Sequence, residues 1–132
     1  MNIGQVSKIL GLNSKMIRYF ESLGLLEDIQ RTQSGYRVYD EHDLRTLQFI
    51  QHCRELDFSY EDIAVLLKLW KNQERSSREV KQLAETHIHA LKAKIKRLER
   101  MVNLLQESVD VCPNNEASEC SILNQLENLQ LK

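Results

Sequence analysis

The sequence predicts a mainly α-helical protein in which a small helical domain with one β-hairpin precedes a single long helix. Two patterns carry this prediction. Short amphipathic segments separated by glycine turns fill the first half, and a regular heptad of apolar residues fills much of the second. The heptad positions are Ala84, Ile88, Leu91, Ile95, Leu98, Val102, Leu105 and Val109. A stripe this narrow requires a partner helix, so the sequence also predicts a dimer.

Length and composition allow one small domain followed by an extended helix. The 132 residues have a formal net charge of -1, so any contact with nucleic acid must come from a local basic patch. No apolar run is long enough to span a bilayer, and no signal peptide is recognisable. Three cysteines, an odd number, argue against a disulfide framework. We therefore expect a cytoplasmic protein with reduced thiols and no membrane contact.

The first two predicted helices form a helix-turn-helix over residues 3–23. Gly11 ends the first helix, and Asn13 is one of two residues that can cap the second. The outer face of the second helix carries Lys15, Arg18 and Tyr19. Cationic and hydrogen-bonding side chains suit a DNA major groove, although many helix pairs carry such residues on a face that is only solvated.

A β-hairpin is predicted within residues 27–39. Gly35 supplies the turn, and the residues after it alternate between the two faces of a strand. A hairpin beside a helix-turn-helix is a wing, and Tyr36 and Arg37 at its tip are candidates for contact with a phosphate backbone. Val38 and Tyr39 are interpreted as packing residues.

Two further helices complete a head that ends near residue 70. Asp40 caps the third helix, whose buried stripe includes Cys53 and continues to Leu56. We interpret Cys53 as a packing residue and not as a ligand. Ser59 caps the fourth helix, which directs Trp70 inward.

The long helix is predicted to follow a polar linker. Residues 71–77 form the linker, and Ser76 with Glu79 has the spacing of a capping box. The dimerisation helix occupies residues 78–109. Its outer face is rich in lysine and arginine, and we interpret it as a solvated flank.

Residues 110–132 are predicted to form a metal-binding loop and a short terminal helix. Pro113, which lies between Cys112 and Cys120, prevents the long helix from continuing into the loop. The loop holds no histidine and no third cysteine. Two converging thiolates suit a soft monovalent ion such as Cu(I), Ag(I) or Au(I), whereas zinc requires four ligands.

Several motifs resemble those of the MerR family of transcriptional regulators. They are Ile3-Gly4-Gln5-Val6, Ile17-Arg18-Tyr19-Phe20-Glu21, Gly24-Leu25-Leu26, Arg31 with Gly35-Tyr36-Arg37 and Tyr39, and Phe58-Ser59-Tyr60-Glu61-Asp62-Ile63. Glu27 and Asp57 depart from the family at connectors, where proline and glycine are usual. The resemblance implies a winged helix-turn-helix DNA-binding domain over residues 1–70. Its DNA contacts would be Lys15, Arg18 and Tyr19 from the second helix and Arg31, Tyr36 and Arg37 from the wing.

The cysteine loop resembles that of the copper-responsive members of this family. Members that sense divalent ions carry a cysteine at the start of the long helix, where Ser77 stands here. The resemblance makes the dimer an antiparallel coiled coil, so that Ser77 would lie beside the partner's loop. A serine there removes a thiolate and favours a monovalent ion. The cysteine- and histidine-rich tail of many copper-responsive relatives is absent from this sequence.

Together these features predict a homodimeric, copper-responsive transcriptional activator. Cu(I), or Ag(I) or Au(I), would bind Cys112 and Cys120. The resemblance implies that distorted promoter DNA then becomes usable by RNA polymerase, which transcribes copper efflux or detoxification genes. An oxidant sensor with a reversible disulfide, a divalent-metal sensor and a dimerisation adaptor are the alternatives. We do not expect an enzyme, because no base, nucleophile and orienting group come together.

Overall fold

The computed structural model describes residues 1–116 and 118–129, and within them the chain is mainly helical, as predicted. In chain order the elements are α1 (Ile3–Leu10), α2 (Ser14–Ser22), β1 (Gln30–Arg31), β2 (Arg37–Val38), α3 (Glu41–Glu55), α4 (Tyr60–Lys71), α5 (Ser77–Asp110) and α6 (Ser121–Asn128). Ala117 and residues 130–132, which belong to the predicted segment 110–132, lie outside the described residues. Among the described helices, none is both long and apolar enough to cross a bilayer.

The chain divides into two compact units, Met1–Lys81 and Gln82–Lys132. The first unit contains α1 to α4 and the hairpin, and the second contains most of α5 together with α6. The predicted boundaries of the head (residues 1–70), the linker (71–77) and the dimerisation helix (78–109) stay predictions.

Short polar residues start the helices of the first unit, because their side chains satisfy backbone N–H groups that lack a partner within the helix. Asn13 caps α2 through the Lys15 N–H. Asp40 forms a full capping box at the start of α3, and Ser59 caps α4. Gly11 ends α1 with a left-handed φ of 66°, a conformation that glycine adopts without steric cost.

The hairpin is short and antiparallel. Gln30 pairs with Val38 and Arg31 pairs with Arg37, so each strand contributes two residues. Gly35 has a φ of 89° and donates its N–H to the Thr32 carbonyl at 2.9 Å. The tight turn therefore depends on a residue without a side chain.

One hydrophobic core holds the first unit together. Its largest fully buried side chains are Tyr39, Phe20, Ile17, Leu47, Ile50, Ile63 and Val6. The Gln51 amide donates to the Leu10 carbonyl at 2.9 Å and so joins α3 to the end of α1. This core fixes α2 on the surface with its apolar side inward.

Two helix residues expected to point inward are more exposed than predicted, and so is Val38 of the hairpin, which was expected to pack and is 36% exposed. Leu56 is 62% exposed, because it is the C-cap residue of α3 and lies past the last buried position of that helix. Trp70 is 38% exposed, although its ring stacks on Phe49 with 4.4 Å between the ring centroids. Cys53 is buried, as predicted.

Replacing Ile63 with alanine is expected to destabilise the protein by about 2–5 kcal/mol, because the fully buried side chain would leave a cavity. Val65 of the same helix is 46% exposed, and its replacement by alanine should change stability by less than about 0.5 kcal/mol. Urea unfolding of both variants at one protein concentration measures the difference. Equal losses of stability would contradict this description of the core.

The second unit consists of the rest of α5 and the terminal helix α6. α5 begins at Ser77, and the Ser76 hydroxyl oxygen caps it through the Arg78 N–H at 3.2 Å. Six heptad residues of α5 are between 45% and 61% exposed in the single chain, namely Ile88, Ile95, Leu98, Val102, Leu105 and Val109. An apolar stripe of this length, open to solvent, has the pattern of a coiled-coil surface.

Candidate functional site

The recognition-helix candidates lie on the solvent side of α2. Ile17 and Phe20 are buried on its inner side, whereas Lys15, Arg18 and Tyr19 are exposed. Helical periodicity puts these three side chains on the opposite face from the core. The structure thus presents together the three residues that the sequence predicted for this helix.

α4 supports the aromatic member of this face. The Tyr19 ring meets the Tyr60 ring edge-on, with 5.5 Å between their centroids, and Tyr19 is still 45% exposed. The Arg54 guanidinium lies 4.4 Å from the centroid of Tyr60 on α4. Edge-to-face and cation–π contacts of this kind restrict the position of a ring at the surface.

The wing arginines are held by a carboxylate of α2. Arg37 donates from Nε to Glu21 Oε2 at 2.6 Å. Arg31 donates from Nη1 to the Gly35 carbonyl at 2.9 Å, and its Nη2 lies 3.9 Å from Glu21 Oε1. Tyr36 at the tip is 74% exposed.

Glu21 is the functional candidate that the sequence reasoning missed. The sequence does contain an indication of this role, because Glu21 is a single acidic residue one helical turn after Arg18 on an otherwise basic face. Pairing with the wing depends on tertiary structure, because Glu21 and Arg37 are 16 positions apart.

The two loop cysteines lie at the ends of adjoining helices. Cys112 follows α5, and its N–H donates to the Val109 carbonyl at 3.2 Å. Cys120 is the N-cap residue of α6. Both are free and half-buried, and Asn114 between them adopts a left-handed φ of 51° that asparagine tolerates.

Hydrogen bonds join the two helices at the base of the loop. The Ser121 hydroxyl donates to the Ser108 carbonyl at 2.5 Å. The buried Ser108 hydroxyl donates in turn to the Gln125 side-chain oxygen. The residue after Cys120 is therefore tied to a residue one turn before Cys112.

The donor set around the loop is small. Within the described residues, no group of three or more His, Cys, Asp or Glu side chains is placed to hold a metal ion. Burial raises the pKa of the Cys53 thiol, whose side chain belongs to the core of the first unit. Ser77 is exposed at the first position of α5.

Comparison with known proteins gives consistent matches. The family model "MerR HTH family regulatory protein" matches residues 1–70, and the model "MerR, DNA binding" matches residues 44–107. Heavy metal-dependent transcription regulator 1 of Rhizobium meliloti is 44% identical over 129 residues, which cover 97% of this chain and 88% of that protein. The regulator CueR of Escherichia coli O157:H7 is 32% identical over 126 residues, covering 96% and 93%.

A solved structure extends the similarity to three dimensions. PbrR691 from Ralstonia metallidurans CH34, crystallised in complex with lead(II), has a TM-score of 0.78 at 34% identity, covering 96% of this chain and 98% of that one. The relatives are regulators of transcription and not enzymes. The exposed face of α2, the wing beside it and these matches over almost the whole length lead to one assignment. The chain belongs to the MerR family of helix-turn-helix transcriptional regulators.

Proposed function

We propose that this protein is a homodimeric transcriptional activator that responds to Cu(I) through Cys112 and Cys120. One observation carries the proposal. Two free, half-buried cysteines flank the loop between α5 and α6, and no third His, Cys, Asp or Glu ligand joins them among the described residues. Thiolates select soft metals, and two of them satisfy an ion that accepts two-coordination.

A monovalent ion at the two thiolates would leave a negative charge that the adjoining helix can stabilise. Two thiolates and one monovalent cation leave a single negative charge. Cys120 is the N-cap residue of α6, and the positive end of a helix dipole stabilises a negative charge near it. The same logic admits Ag(I) and Au(I) beside Cu(I).

A divalent-metal sensor is the second candidate. The relatives named above include heavy metal-dependent regulators, and PbrR691 was crystallised with lead(II). Ser77 argues against this candidate. The family resemblance implies that members sensing divalent ions carry a cysteine at this position. The serine hydroxyl is a poor ligand for a thiolate-bound soft metal.

DNA recognition is proposed to use two heads of one dimer. Lys15, Arg18 and Tyr19 would enter a major groove, and the wing residues Arg31 and Tyr36 would lie over the flanking backbone. The exposed heptad of α5 would form the antiparallel dimer seam. When the two cysteines bind metal, the dimer shifts toward the state with higher metal affinity, and promoter DNA is distorted for RNA polymerase.

Metal titration of the reduced dimer tests the proposal. We expect one Cu(I) per loop, and X-ray absorption should report two sulfur neighbours. Zinc bound by four ligands would contradict the copper assignment. A reduced protein that binds no copper, but loses the mass of two hydrogens on oxidation, would instead indicate a disulfide sensor.

Replacing Ser77 with cysteine is expected to raise affinity for divalent soft metals such as Cd(II) on the order of tenfold or more, because a third thiolate becomes available from the partner subunit. Competition against a chromophoric chelator measures the change. Ser76→Cys is the matched control, since this residue is exposed and directly adjacent. If both variants bind Cd(II) like the parent, the selectivity role of Ser77 is wrong.

A further inference from the structure

We propose that Glu21 is a positioning residue that fixes the wing against the recognition helix α2, and that Arg37 supports DNA binding through Glu21 and not through a phosphate. The inference rests on the proposed DNA-binding face. It changes the role of one of the six predicted DNA contacts and adds a residue of opposite charge to the site.

The contact geometry is that of a strong ion pair. The 2.6 Å separation between Arg37 Nε and Glu21 Oε2 is short for a bond of this type, and the two side chains are only 29% and 21% exposed. Partial burial reduces the screening that makes exposed ion pairs weak. The guanidinium of Arg37 is therefore directed at α2.

Arg31 extends the same contact to the other strand. Its Nη2 lies 3.9 Å from the second Glu21 oxygen, and its Nη1 holds the turn through the Gly35 carbonyl. Arg31 and Arg37 are opposite each other in the register of the hairpin. The Glu21 carboxylate of α2 thus contacts both strands of the hairpin at one pair of opposite residues. The Arg31 side chain is 49% exposed, so part of its charge remains accessible to solvent.

The hairpin needs such a support because it is small. Two strands of two residues each form a ladder too short to be stable without other contacts. Tyr39 fixes the end of β2, since its ring is buried and its backbone exchanges two hydrogen bonds with Met1, at 2.7 and 2.8 Å. Glu21 adds a side-chain contact from α2 to the strands themselves.

The surroundings of Tyr39 place Glu21 close to this anchor. The Tyr39 hydroxyl is buried without a hydrogen-bond partner in the structure. Burial raises the pKa of Tyr39, and the negative charge of Glu21 raises it further. The positive charges of Arg37 and Arg18 act in the opposite direction and lower the pKa of Tyr39.

The sign of the expected effect separates positioning from simple electrostatics. Removing a negative charge from a DNA-binding face should strengthen binding, because DNA repels carboxylates. Removing a residue that positions the wing should weaken binding. Glu21→Gln distinguishes the two cases by direction and not only by size.

The test measures binding of the full-length protein to a DNA duplex that the parent has itself selected from a random-sequence library. The variants are Glu21→Gln, Glu21→Asp, Arg37→Gln and the double variant Glu21→Gln with Arg37→Gln. Glu21→Asp keeps the charge and shortens the arm, so it isolates position. Glu27→Gln removes the same charge from an exposed residue ahead of the wing and is the matched control.

We expect each Glu21 variant and Arg37→Gln to weaken binding roughly fivefold, as loss of one partly exposed charged hydrogen bond would. The double variant should be no weaker than either single one, because both remove the same contact. The slope of the logarithm of DNA affinity against the logarithm of salt concentration should be the same in Arg37→Gln as in the parent. The magnitude of this slope should fall by about one in Arg18→Gln, which loses a proposed DNA contact.

Other results overturn the inference. Binding by Glu21→Gln that equals or exceeds the parent's, together with a lower salt slope in Arg37→Gln, would make Arg37 a phosphate contact. Either conclusion requires that the circular dichroism spectra of the variants match that of the parent. If Glu21→Gln fails to fold, the DNA affinity of Glu21→Asp is used in its place. A parent that binds no duplex in a salt-dependent way would instead remove the proposed function.

Discussion

Replacing Cys112 and Cys120 with serine, singly or together, is expected to abolish copper-dependent activation and leave DNA binding intact. The proposed site has two protein ligands, so each substitution removes half of the donor set. Even the loss of an outer partner of a ligand costs roughly 10- to 100-fold in metal affinity, and loss of a ligand itself should cost more. The helix-turn-helix face lies in a different unit of the chain and keeps its contacts.

A promoter–reporter assay with added copper measures the loss of response, and equilibrium binding to a selected duplex measures the retained DNA affinity. Cys53→Ala is the matched control. It removes the third cysteine of the chain, which is buried and distant in sequence, and should keep the copper response. Activation of the Cys112→Ser and Cys120→Ser variants at the level of the parent would refute the sensing proposal.

Substituting lysine for Ile95 and Val102 together is expected to convert the dimer into monomers and to abolish tight DNA binding. These residues are 53% and 61% exposed in the single chain and belong to the apolar stripe of α5. An unpaired charge buried in a helix–helix seam costs about 3–5 kcal/mol, which corresponds to more than about a hundredfold in the dimer dissociation constant. A monomer presents one head and loses the gain from binding two half-sites at once.

Sedimentation or light scattering at micromolar protein measures the oligomeric state. The control is lysine at Ala90 and Ala93, which adds the same two charges on the outer face of the same helix. These residues are exposed and lie off the heptad positions, so the control should stay dimeric. Dissociation of both variants, or of neither, would show that this stripe is not the seam.

Local signals in the sequence explain why most of the head was predictable. Helix starts at Asn13, Asp40 and Ser59 follow from side chains that accept hydrogen bonds from nearby N–H groups, and Gly35 marks a turn that requires a positive φ. Each of these signals acts over a few residues. The same is true of the heptad, which the structure presents as an exposed apolar stripe.

Exposure at the edges of the core was less predictable. The apolar periodicity of α3 and α4 continues to Leu56 and Trp70, although the core does not. Periodicity shows which side of a helix faces inward, but the neighbouring elements determine how far the burial extends along it. A stacked partner such as Phe49 cannot be recognised from spacing alone.

The sequence by itself determined the helical fold class, the wing, the apolar stripe and the cysteine pair, because these depend on side-chain chemistry at fixed short spacings. Only the tertiary structure decided that Glu21 meets Arg37 and Arg31 and that Ser108 meets Ser121 and Gln125. Each of these contacts joins residues on different elements. Their partners are selected by how the elements pack, so a charge or hydroxyl that looks merely solvated in the sequence becomes a structural contact in the fold.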